Sequence, residues 1–365
     1  MPMFRLAARL ALFLVVLAIV AEVFFRTVVP ATSLPASYMG PHDEIFRFDV
    51  TWVTSGVNTH GRFGLRPATW RVNNAGWNSV FDYTPPAEKA RPRVALLGDS
   101  FIEGFPTNVD QHVDAYLHKR FGGRADVYAF GRSGWYLAQY VALSRYVDEQ
   151  FAPDTFVIFL NYHDIQDSLR ENGVKTHYAY QITQDGAGFR ELKPPVHFVL
   201  GKRSRLLRRS AIVRYVRLNL GITWGQKDAI IEDVNLQPGA PAASADVEAS
   251  PLLQHAADYM VARLVEEHPE SSFIFAVDTD RRRIYAGEPV ENPRPEFDAL
   301  VRASRGHPTV HILDLDPVFR SAFARDHRRF DGADGTHWDP YGNWVVASAV
   351  YAYLTANDLM GAQKR

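Results

Sequence analysis

Two short segments carry groups whose types and spacing suit acyl chemistry. Near position 100, Val94-Ala95-Leu96-Leu97 runs into Gly98-Asp99-Ser100 and presents a serine after an apolar stretch. Near the C-terminus, Asp334-Gly335-Thr336-His337 sets a carboxylate and an imidazole three residues apart. A serine hydroxyl is a weak nucleophile until a base takes its proton, and that base needs a partner to hold its tautomer. The two segments supply all three groups: Ser100 as nucleophile, His337 as base and Asp334 as its orienting partner. Asp-x-x-His alone also fits a capped loop; the serine block upstream tips the reading toward catalysis.

Positioning these groups requires a strand that ends at the serine. Gly-Asp-Ser after a buried strand places Ser100 at the carboxyl end, where open α/β sheets bind ligands. Phe101-Ile102-Glu103-Gly104 then reads as a helix start, which lets the Ser100 amide join an oxyanion hole. Further apolar runs of buried-strand type are Val127 to Phe130, Phe156 to Leu160, Phe273 to Val277 and Val310 to Leu313. Helical patterns over Val113 to Phe121, Ala138 to Gln150 and Leu252 to His268 alternate with them, and Val345 to Leu354 reads as a closing helix. That alternation predicts an α/β fold with a central parallel sheet.

Four blocks in this order resemble the SGNH or GDSL hydrolases, over about residues 70 to 355. Gly98-Asp99-Ser100-Phe101 is similar to the nucleophile block, and Phe130-Gly131-Arg132-Ser133-Gly134 to the second block. Asp334 to His337, followed by Trp338-Asp339-Pro340-Tyr341-Gly342-Asn343, is similar to the last block and the helix after it. The resemblance implies a flavodoxin-like three-layer α/β/α fold, ester chemistry through an acyl-Ser100 intermediate, and a backbone N–H of Gly134 in the oxyanion hole. Val72-Asn73-Asn74-Ala75-Gly76-Trp77 resembles the stretch before the serine block in membrane-anchored relatives.

The third block departs from the pattern. The family has Gly-x-Asn-Asp, whose asparagine donates to the oxyanion; this chain reads Asn161-Tyr162-His163-Asp164. Aligned on Asp164, the donor position holds His163, and a neutral imidazole still offers one N–H. Asn161, two residues earlier, would share its side of an extended strand. His163 is the favoured third donor and Asn161 the alternative.

Composition bounds the rest. The 365 residues are 47% hydrophobic, ordinary for a globular enzyme with one main domain. A net charge of −1 carries no overall basic signature for nucleic acid. The absence of cysteine excludes a thiol nucleophile, thiolate metal ligands and disulfides. Pro308 separates His307 from His311, which argues against a zinc pair, and no phosphate-loop or dinucleotide spacing occurs. No metal and no cofactor are expected.

The N-terminus suggests a membrane. Leu10 to Ala21 is an unbroken apolar run with Arg5 and Arg9 before it, and Leu6 to Phe25 counts 20 residues, about one hydrocarbon thickness as a helix. Those arginines favour a cytoplasmic N-terminus, so residues 31 to 365 would lie on the extracytoplasmic (periplasmic) side of the cytoplasmic (inner) membrane, held by a single pass. Val29-Pro30-Ala31 and Leu34-Pro35-Ala36 keep a cleaved signal sequence as the competing fate. Glu22 and Arg26, one turn apart, can pair at the far interface.

Residues 1–30 thus form an anchor or signal sequence, 31–70 a linker and accessory segment, and 71–360 the hydrolase-like domain. An insertion at about 165–250 breaks the alternation as a cap, with a hairpin expected around Gln184-Asp185-Gly186. Within it, Lys202, Arg203, Arg205, Arg208, Arg209, Arg214 and Arg217 form a basic run. It reads as a solvated helix face, or more sharply as a contact for anionic head groups or an anionic polymer. Arg281-Arg282-Arg283 reads as a surface loop, with steering of an acidic substrate as the alternative.

The expected function is an extracytoplasmic serine esterase acting on an acetyl or longer acyl ester of a carbohydrate, lipid or cell-envelope component. A transferase passing the acyl group to a second hydroxyl would use the same site. A non-catalytic envelope protein that binds glycan on the same fold is the alternative of a different class.

Overall fold

The computed structural model describes residues 2–40, 43–63, 65–161, 163–170, 179–186, 188–193, 198–199, 201–222, 251–332 and 334–360. In chain order the strands are β1 (Ser37–Met39), β2 (Arg47–Phe48), β3 (Ser55–His60), β4 (Leu65–Arg71), β5 (Arg93–Gly98) and β6 (Asp126–Gly131). They continue with β7 (Thr155–Leu160), β8 (Gln181–Asp185), β9 (Gly188–Leu192), β10 (Phe198–Val199), β11 (Ser272–Val277) and β12 (Val310–Asp314). Each of the five apolar runs read from the sequence lies in one of β5, β6, β7, β11 and β12.

Those five strands form one sheet in the order β12-β11-β7-β5-β6, and each neighbouring pair is parallel. Numbered within the sheet, the order is 2-1-3-4-5, the flavodoxin-like winding, which reverses direction between β5 and β7. Central strands carry apolar residues on both faces because helices cover both. On one face Ala95 and Leu97 pack with the Leu137–Phe151, Pro251–Glu267 and Pro295–Ala303 helices. On the other, Val94 and Leu96 pack with Val113–Phe121, Asp316–Asp326 and Pro340–Ala356. The flavodoxin-like three-layer α/β/α architecture expected from the sequence is the one observed.

Residues 31 to 71 are more ordered than a linker. Strands β3 and β4 form an antiparallel hairpin, and β1 is the centre of a small sheet between β2 and β10. Since β10 comes from the insertion, the insertion and the N-terminal segment are built together, reinforced by Arg205 on Asp49 at 2.6 Å. Strands β8 and β9 make the expected hairpin, with Asp185 opposite Gly188.

The Pro2–Thr27 helix projects from this body with its span exposed, and Met3–Thr27 is long and apolar enough to cross a membrane. Glu22 and Arg26 pair at 2.6 Å as the spacing suggested. The Glu22 carboxylate also accepts from the amides of Ala211 and Ile212 and from the Ser210 hydroxyl. Lys202–Arg209 is a helix with no buried residue, and the turn after it is fastened to the end of the apolar helix.

Candidate active site

One residue after β5, Ser100 is the first residue of the short Ser100–Glu103 helix, at the reversal between β5 and β7. Asp99 caps that helix, its carboxylate accepting from Phe101 N at 2.9 Å. The turn is tight because β6 lies very close to it. A Cβ on Gly131 would stand 2.2 Å from the Glu103 nitrogen, so the end of β6 needs glycine.

The C-terminal loop closes on the serine. His337 Nε2 lies 2.7 Å from Ser100 Oγ, and His337 Nδ1 lies 2.6 Å from Asp334 Oδ2. Asp334 Oδ1 accepts from the amides of Thr336 and His337 at 3.0 Å each. The Asp334 carboxylate thus holds both the ring and the turn that bears it. Burial raises its pKa, but the His337 hydrogen bond and charge and the two amides outweigh this and hold it at about 2. With Asp334 on Nδ1, Nε2 is the ring nitrogen that faces the Ser100 hydroxyl. Both side chains of the pair are 22% exposed, so the site opens to substrate.

The second expected segment also arrives at this end of the sheet. Gly134 sits at φ +77 on the exposed turn after β6, a conformation that glycine adopts without steric cost. Its turn is fixed from below: the buried Glu103 carboxylate accepts from the amide and hydroxyl of Ser133 and pairs with buried Arg132 at 3.5 Å. Arg132 in turn lies over Phe48 and Phe46 and donates to Ser37, tying the turn to the N-terminal segment.

Strand β7 ends at Leu160, so Asn161 and His163 do not share one face of an extended strand. Asn161 is half-buried, and its carboxamide donates to Asp99 Oδ2 at 2.5 Å. His163 stands exposed immediately before the short Asp164–Ser168 helix. Asp164, buried, accepts from the Asn161 amide at 3.0 Å. Enclosure first, and the neighbouring carboxylates Asp278 and Glu103 with it, raise Asp99, while the Phe101 amide and His337 oppose this.

Arg281 is the residue that sequence reasoning misplaced. It is buried rather than on a surface loop, and it does not face solvent to steer a substrate. Its guanidinium pairs with Asp278 and with Asp331, the latter at 2.8 Å, and donates to the Thr336 carbonyl beside His337. It also lies 5.6 Å from the centre of the Phe101 ring. One side chain therefore links the end of β11, the histidine loop and the residue after Ser100. The acidic residues at 278 and 331 were the available signal, but their separation in sequence hides the cluster.

No family model matches the chain, and no curated protein does. Among solved structures the chain is similar to LAE5, an α/β hydrolase enzyme from the metagenome of Lake Arreo, at 13% identity with a TM-score of 0.38, over 74% of this chain and 97% of that one. It is also similar to TesA, at 14% identity and TM-score 0.37, over 72% and 98%. A member of the lipolytic G-D-S-L family from Veillonella parvula matches at 10% identity and TM-score 0.36, over the same shares. No group of His, Cys, Asp and Glu suited to a metal occurs among the described residues.

Proposed function

We propose that this chain is a membrane-anchored serine esterase of the SGNH type, acting on an acyl ester of a glycan, lipid or envelope component on the extracytoplasmic side. The observation that carries the reading is the continuous Ser100–His337–Asp334 relay, with both contacts at hydrogen-bonding distance. In the first half-reaction Ser100 Oγ attacks the ester carbonyl while its proton passes to His337 Nε2. The carbonyl oxygen gains negative charge that prepositioned donors meet: the amides of Ser100 and Gly134 and the His163 imidazole. Asn161 is the alternative: one carboxamide N–H serves Asp99 and the second can still donate. Collapse of the tetrahedral adduct breaks the C–O bond, and His337 returns the proton to the leaving alkoxide. Water then attacks acyl-Ser100 by the same route in reverse, freeing the acid.

Placement outside the cytoplasm is supported by the exposed apolar helix and by Arg5 and Arg9 at its start. One experiment tests both halves of the reading. A membrane-impermeant fluorophosphonate added to spheroplasts carrying the full chain should label it, and Ser100→Ala should abolish the label. Labelling only after lysis would move the domain to the cytoplasm. No labelling in either condition would overturn the esterase assignment.

A further inference from the structure

The β3–β4 hairpin is fastened to the end of the apolar helix by contacts that run in step along both. Ser33 donates its amide to the Val57 carbonyl at 2.8 Å. Closer to the helix, the Thr32 hydroxyl donates to the Thr59 carbonyl at 2.9 Å, and the Thr59 hydroxyl to the Pro30 carbonyl at 3.1 Å. In the last turn of the helix Phe25 stacks on Tyr215 of the insertion at 3.9 Å. The Tyr215 hydroxyl in turn donates to the Arg62 carbonyl at 2.6 Å. The chain from Ser33 back to Phe25 therefore keeps level with the hairpin from Val57 out to Arg62. The base of the hairpin faces the catalytic body instead: Asn58 donates to the Phe105 carbonyl at 3.1 Å, just after the Ser100–Glu103 helix.

The outer end of the hairpin thus lies level with the last turn of a helix long and apolar enough to cross a membrane. There the sequence reads Arg62-Phe63-Gly64-Leu65-Arg66. Phe63 is 72% exposed and Leu65 61%, whereas Ala68 and Trp70, further down β4, are buried. Single apolar side chains on a surface are ordinary; these two are set apart by their level. At the boundary between hydrocarbon and water, an aromatic ring and an aliphatic chain both lose apolar surface to lipid. The exposed arginines on either side suit the same boundary, since long basic side chains keep their charge among head groups while their stems lie against apolar material.

We infer that the β3–β4 hairpin is a second membrane contact, with Phe63 and Leu65 entering the lipid interface beside the anchoring helix. The inference rests on the anchoring proposed above. One helix alone leaves the body free to swing about the point where the chain leaves the lipid. A second contact at the same level removes that freedom.

The chain has no cysteine, so one introduced cysteine is a unique labelling site. The full chain is placed in phosphatidylcholine–phosphatidylglycerol nanodiscs with a small fluorophore on Phe63→Cys or on Leu65→Cys. Lipids carrying a nitroxide near the head group should quench both labels, roughly twofold or more. Phe13→Cys, on the exposed span of the helix, reports whether the helix itself is in lipid. Glu270→Cys, exposed just before β11 at the sheet end opposite Ser100, should stay unquenched. Adding Leu65→Asp to the Phe63→Cys chain should reduce its quenching, because a carboxylate resists entering the interface. All these side chains except Glu270 are exposed and apolar, and an unchanged circular-dichroism spectrum checks folding of each variant. Quenching at Phe13 without quenching at Phe63 and Leu65 would overturn the inference and leave the anchor standing. Equal quenching at Glu270 would also overturn it, by showing that the body lies on the lipid without a preferred contact. No quenching at Phe13 would remove the anchor, and the hairpin contact with it.

Discussion

The two ends of this molecule handle charge in opposite ways. Around Ser100 each ionised group is met by a partner: Asp334 by His337 and two amides, Arg281 by Asp278 and Asp331, Glu103 by Arg132 and Ser133. Around the end of the apolar helix, Arg26, Arg208, Arg209, Arg214 and Arg217 line one cavity, with Arg26 paired to Glu22 and Arg214 donating to backbone carbonyls. Balanced charges fix geometry, because each hydrogen bond removes a rotamer. The contrast separates side chains held by charged partners from a basic cluster oriented in part by backbone carbonyls.

The largest effect expected falls on the relay. His337→Ala should lower turnover by roughly three orders of magnitude or more, and Asp334→Asn by a comparable or smaller factor. Steady-state kinetics on a chromogenic short-chain ester measures both. A His337→Ala protein with most of its activity would remove the balanced end of the comparison altogether.

Next comes the departure from the family at the third donor. His163→Ala should reduce kcat about 10²-fold with little change in KM, while His163→Asn should retain much of the activity. If Asn161→Ala instead shows the larger kcat loss, the donor is Asn161 despite its bond to Asp99. If neither variant matters, the oxyanion is held by backbone amides alone.

A smaller effect is expected at Arg281, a positioning residue that acts through the His337 loop. Arg281→Lys keeps the charge but cannot span Asp278, Asp331 and the Thr336 carbonyl together. Its kcat should fall roughly tenfold, with KM nearly unchanged, since a displaced base costs rate rather than binding. A loss of thermal stability with kcat intact would show that the guanidinium serves packing only.

The smallest is a pH effect on stability. The His337 contact and the two loop amides hold Asp334 at about 2 in the folded chain, below the ordinary carboxylate value of 3.8. A depressed carboxylate contributes stability that is complete above the unfolded value and lost as pH falls through the folded one. The stability gap between the native chain and Asp334→Asn should therefore be constant near neutrality and shrink between about pH 4 and 2. Urea unfolding across that range measures it. A gap independent of pH would mean that the Asp334–His337 contact contributes nothing to folding.

Local pattern determined much of this protein. The five core strands were legible because each is a short apolar run, buried on both faces. The main helices were legible from periodicity, with Val113 to Phe121 matching the observed helix at both ends. Ser100, Asp334 and His337 stood out because a nucleophile and its base are types that few other roles require in that order. The apolar helix needed only its composition and length.

Tertiary structure decided what depends on groups distant in sequence. Arg281 looked like one of three surface arginines until the chain brought Asp278, Asp331 and Thr336 around it. Asn161 and His163 read as sharing one side of an extended strand, with His163 favoured, but β7 ends at Leu160 and sends Asn161 to Asp99 while His163 stays exposed. The basic run gave no hint that Glu22, nearly two hundred residues earlier, would accept its amides. The physical reason is common to all three. Periodicity reports which face of an element is apolar, whereas pairing of polar groups is set by which elements the sheet order makes neighbours.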